Sequence, residues 1–135
     1  MDNSKMRSCG ITVLRVVVGI VFLAHGSQKL FTFGFHGVAG MFAHMGVPVP
    51  SVSAVLVTLV EFLGGVALIL GAGTRLAATL LVIDMAGAIL FVHGKHVFFA
   101  PMGMEFPLTL LAANVCLMLA GAGSLSLDGF FGRKS

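Results

Sequence analysis

Two acidic side chains, Glu61 and Asp84, sit near the centres of the long apolar runs 51–72 and 74–93. A carboxylate at mid-bilayer costs about 2.5–3.5 kcal/mol on insertion scales. It persists only where it faces a helix-bundle interior or a wet cavity. The chain must therefore fold so that both acids point inward. Each is a candidate functional residue on that ground alone.

Composition supports a membrane setting. The chain has 135 residues, 58% hydrophobic and 10% charged, against about 25% charged in average soluble domains. The segment 106–127 carries no charge over 22 residues, enough for one spanning helix. Trp and Tyr are absent, and Phe occurs twelve times, so Phe must do the interfacial anchoring usually shared with Trp and Tyr. A net charge of +3, spread along the chain, argues against nucleic acid as a partner.

Four spans account for most of the chain, at about 11–33, 51–72, 74–93 and 105–122. This predicts an all-α fold in a single domain: an integral-membrane four-helix bundle with the bilayer as its partner. A short interfacial helix is expected over Val38–Met45, stopped by Gly46 and Pro48. The basic start and apolar run of the N-terminus resemble a signal peptide weakly, but Arg15 interrupts the run, so a retained first helix is expected.

Orientation follows from the basic residues. Lys5, Arg7, Arg75, Arg133 and Lys134 fall on one side, and Lys95 on the other. Both termini are therefore expected in the cytoplasm. The joints Gly71-Ala72-Gly73 and Gly121-Ala122-Gly123 look alike, as an internal repeat or as ordinary small-residue helix ends. Cys9 and Cys116 form no CxxC, and no disulfide between them is expected.

On the first helix Arg15, Phe22, His25 and Lys29 share an arc of roughly 80°. Arg15 and Lys29 either form one polar stripe with His25 or snorkel to opposite interfaces. Gly64 and Gly65 beside Glu61 permit close helix approach, so Glu61 is expected to pair with Lys29 or His25. On the third helix Asp84 points away from Arg75 and His93. On the fourth, Asn114 lies mid-span as a ligand contact or as interhelical glue.

His25, His36, His44, His93 and His96 all fall in the outer half, as do Met41, Met45, Met102 and Met104. Imidazole and thioether suit copper, yet no tight metal spacing is present and no metal is assigned. A proton-exchanging pocket is the other reading. The candidate ligand-binding residues are His25, Lys29, Glu61, Asp84, His93 and Asn114, in a pocket opening outward. No catalytic residue can be assigned.

Several motifs together resemble the DoxX family. They are His25-Gly26-Ser27-Gln28-Lys29-Leu30-Phe31, Glu61-Phe62-Leu63-Gly64-Gly65 and Gly73-Thr74-Arg75-Leu76-Ala77, then His93, then Gly121-Ala122-Gly123 with Ser126-Leu127-Asp128. The resemblance implies a four-helix bacterial inner-membrane protein. It implies a quinone- or quinol-linked role, as a subunit of an oxidoreductase complex with a partner subunit. Phe106 stands where relatives commonly carry Tyr or Trp. No haem, flavin or nucleotide fingerprint is visible, so quinone is the expected cofactor. The alternative is a non-enzymatic small-molecule binder, proton-coupled transporter or assembly factor; a transporter of four helices would need to form a homo-oligomer.

Overall fold

The computed structural model describes residues 2–93 and 105–131, with the backbone alone for residues 92 and 93. Lys95, His96, Met102, Met104, Arg133 and Lys134 lie outside the described residues, as does the His93 side chain. Helix α1 (Asn3–Ser27) continues through a π-helical stretch, Gln28–Phe33, into α2 (Gly34–Met45). Then come α3 (Pro50–Leu70), α4 (Thr74–Ala88) with a π-helical extension Ile89–His93, α5 (Glu105–Ala120) and a single turn, α6 (Leu127–Phe130). Among the described residues, three helical segments are long and apolar enough to cross a membrane. Helix α5, at 16 residues, is shorter. The chain is an all-α membrane protein.

Helix α1 begins at Asn3, eight residues ahead of the expected span, because Asp2 caps it. The Asp2 carboxylate accepts from Lys5 N–H at 2.8 Å. Helix α2 begins at Gly34, ahead of the expected Val38, where a φ of +71° breaks the run from the π-helical stretch. It ends at Gly46, left-handed at φ +83°, as the glycine predicts. Pro50 opens α3 at its first position, where a missing N–H costs nothing.

Helices α1 and α3 meet through glycine. A Cβ at Gly26 would lie 2.4 Å from Phe62 N, and one at Gly65 would lie 2.5 Å from Leu23 N. The two backbones touch there, so any side chain would push them apart. Gly64 faces Leu81 of α4 instead. The core of Val18, Phe22, Leu68, Leu81 and Leu117 joins α1, α3, α4 and α5.

One end of the bundle is closed by Arg15. It is 1% exposed, so neither the snorkelling nor the open polar stripe describes it. Its Nε donates to Leu68 O at 2.8 Å, and its Nη2 to Leu125 O at 2.9 Å. Its Nη1 donates to Ala122 O and, at 3.2 Å, to Ser124 O. The guanidinium thus spends its donors on carbonyls that follow or end helices, where the backbone is electron-rich. The two glycine joints meet around it. Asp128 N–H donates to Gly71 O at 2.9 Å. The Asp128 carboxylate accepts from Gly73 N–H at 2.8 Å and Thr74 N–H at 3.0 Å, capping α4 from a distant part of the chain. Leu125, at φ +52°, holds a conformation costing about 1–2 kcal/mol in a non-glycine residue, and its carbonyl faces Arg15.

Candidate functional site

The trio at the centre of the bundle comes from three helices. Lys29 lies in the π-helical stretch after α1; such wider turns recur at functional sites. Its Nζ stands 2.7 Å from Glu61 Oε1 of α3, with side-chain exposures of 20% and 5%. The glycine contacts of α1 and α3, one of them Gly26 against Phe62, bring the two helices close enough for this pair. Of the two expected partners for Glu61, the structure selects Lys29.

Asp84 approaches from α4. Its carboxyl lies close enough to Lys29 and Glu61 to interact with both charges. The trio therefore combines one ammonium with two carboxyl groups. Asp84 Oδ2 is buried and without a hydrogen-bond partner among the described residues. Thr58, one turn before Glu61, likewise has a buried Oγ1 without a partner there. An unmet buried acceptor costs about 1–3 kcal/mol, so these atoms mark where a further group is wanted.

His25 and Asn114 make no hydrogen bond to the trio. His25 is exposed; its Nδ1 pairs with Val21 O at 2.9 Å. Its ring lies against Phe106 of α5, with centroids 5.6 Å apart. Intrahelical bonding and a ring neighbour satisfy it away from Glu61. Asn114 is fully buried, but its Nδ2 donates to Leu110 O of its own helix at 2.8 Å. That bond is not interhelical glue, and Asn114 Oδ1 has no partner among the described residues. His93 falls in the π-helical extension of α4, with its side chain outside the described residues. His36 and His44 are exposed on α2. Among the described residues no three His, Cys, Asp or Glu side chains gather to hold a metal, and Cys9 and Cys116 form no disulfide.

Sequence reasoning missed Thr58 and the cage around Arg15. Thr58 looks like any small residue of an apolar run. The near-identical joints at Gly71 and Gly121 are the one signal that could have pointed to the cage. A groove of about 290 Å³ also opens between α3 and α4, lined by Leu59, Gly64, Ala67, Leu76 and Leu80 among others.

Known proteins resemble this chain in sequence along most of its length. The chain is 34% identical to "Putative oxidoreductase CatD" of Bacillus subtilis, covering 98% of this chain and 96% of that one. It is 36% identical to an uncharacterized protein of Haemophilus influenzae, over 99% and 100%. It is 28% identical to the inner membrane protein YphA of Escherichia coli, over 94% of each. No solved structure matches the chain. The DoxX family model matches residues 10–94, a stretch that contains Arg15, Lys29, Glu61 and Asp84. With more than half of its length matched by that model, the chain belongs to the DoxX family.

Proposed function

We propose that the protein is a quinone- or quinol-linked redox component of the inner membrane, acting within an oxidoreductase complex. The observation that supports this most is the Lys29–Glu61–Asp84 trio, with its unmet acceptor in apolar surroundings. A quinone carbonyl would accept from Lys29, and a quinol hydroxyl would donate to Asp84; the ring is flat and neutral. A bound quinone supplies two-electron chemistry, with electrons exchanged through a partner subunit. Lys29 would donate a hydrogen bond to a ring oxygen, and the Asp84 and Glu61 carboxyl groups would give or take protons there. The printed name of one relative, "Putative oxidoreductase CatD", points the same way.

Titrating a short-chain quinone analogue against purified protein tests this. Asp84→Asn and Lys29→Met are expected to weaken binding by about tenfold each, the worth of one charge-assisted hydrogen bond. His25→Ala is expected to change it less, because His25 points elsewhere. Equal affinity in all four proteins, or no binding in any, removes the quinone reading. A proton-coupled binder or assembly factor then stands ahead.

We also propose that both termini face the cytoplasm, from the Lys and Arg distribution. A reporter active only in the periplasm, fused after Ser135, is expected to stay silent. A strong signal would overturn the orientation.

A further inference from the structure

At the Arg15 end of the bundle, the single turn of α6 is held in place by Asp128. The Asp128 carboxylate faces inward and accepts from the first N–H groups of α4. Leu127, Phe130 and Phe131 stand three and four residues apart, so they share the opposite face of the turn. Phe130 and Phe131 are 79% and 69% exposed, and their rings meet edge to face with centroids 5.3 Å apart. Exposed phenyl rings on a turn fixed by hydrogen bonds form a preorganised apolar contact.

Cations surround this turn. Arg75 follows Thr74, whose N–H donates to Asp128, and it is exposed. On α1, Thr12 Oγ1 donates to Ser124 O at 2.6 Å, and a Cβ at Gly123 would lie 2.8 Å from Ser8 O. Arg7 and Lys5, just before Ser8, are exposed and stand at the same end. Asp2, which caps α1, is the exposed acid there among the described residues.

The same cations lie at the foot of apolar flanks. Leu76 and Leu80 of α4 are exposed after Arg75, as are Val13 and Val17 of α1 after Arg7. In a membrane protein such flanks meet acyl chains. The cations and the phenyl pair then lie at the depth of the lipid headgroups.

We infer that the α6 turn, with Lys5, Arg7 and Arg75 around it, is a binding surface for anionic phospholipid in the leaflet at the Arg15 end. The phenyl pair enters the boundary between headgroups and acyl chains, and the cations hold the negative headgroups. A zwitterionic lipid satisfies the rings but leaves the cations without a net counter-charge. The inference stands apart from the quinone reading and from which side of the membrane this end faces.

The chain has no Trp, so Phe131→Trp places a lone fluorophore on the turn. The full-length variant is reconstituted in vesicles of mixed phosphatidylglycerol and phosphatidylcholine, with bromine on the acyl chains of one lipid at a time. Brominated phosphatidylglycerol is expected to quench about twofold more strongly than brominated phosphatidylcholine at equal mole fraction. In about 1 M salt, where charges act only within about 3 Å, that difference is expected to shrink. Changing Lys5, Arg7 and Arg75 together to Gln should remove it. Phe130→Trp repeats the measurement if Phe131→Trp misfolds, and the salt series needs no charge variant to fold.

Equal quenching by the two lipids overturns the inference and leaves the turn as an apolar anchor. Quenching by neither puts the ring in water or against another protein chain and overturns it as well. So does a preference for phosphatidylglycerol that survives both high salt and the triple Gln variant, because the cations then play no part.

Discussion

Glu61→Leu is expected to be among the most damaging single changes in the membrane-spanning region. It removes the carboxylate 2.7 Å from Lys29 Nζ and leaves an ammonium facing an apolar interior. Breaking a buried pair on one side costs about 3–5 kcal/mol. Glu61→Gln keeps a hydrogen-bond acceptor for Lys29 and a donor for Asp84, so it should cost roughly half as much. The double variant Lys29→Met, Glu61→Leu is expected to recover most of the loss, since neither charge of the pair is then left without the other. Thermal unfolding in one detergent ranks the four proteins. A double variant no more stable than Glu61→Leu alone would show that the acid acts independently of Lys29.

Arg15→Leu is expected to lose at least as much. Four carbonyls, of Leu68, Ala122, Ser124 and Leu125, accept from this one guanidinium. Each buried carbonyl stripped of its donor costs about 1–3 kcal/mol, partly offset where the loop relaxes toward water. Arg15→Lys should rescue little. An ammonium is a compact point charge and cannot span acceptors arranged for a planar fork. The readout is the share of protein recovered as a monodisperse species, together with its melting temperature. A loss below about 1 kcal/mol for Arg15→Leu would mean that water replaces the guanidinium and the cage carries little stability.

The sequence made the trio partly legible because insertion energetics allow few outcomes. An acid at position 61 or 84 must point inward, and Gly65 shows where two backbones can touch. Lys29 and His25 share a helix face, however, so periodicity could not choose between them. The wider turn at Gln28–Phe33 and the ring of Phe106 decide that choice, and neither leaves a mark in hydropathy. Asn114 shows the same limit: a side chain can satisfy its donor on its own helix, which spacing between helices cannot reveal. Arg15 was the hardest to read. Its partners are backbone carbonyls of a distant loop, and the identity of the side chains there says little about where those carbonyls point.

The Arg15 cage also sets an order of events during synthesis. The contact to Ala122 spans 107 residues of chain, so the first helix reaches the membrane long before its partners exist. Until then its cation has at most the Leu68 carbonyl to meet and must stay near water at the membrane surface. The bundle can lock only when the last helix has arrived and its trailing loop has folded back. Maturation therefore ends at the point where it began, and the first helix is the last to be fixed. Chains cut just before Ala122 should insert normally yet leave a cysteine placed at Val18 open to aqueous labelling, while full-length chains should protect it.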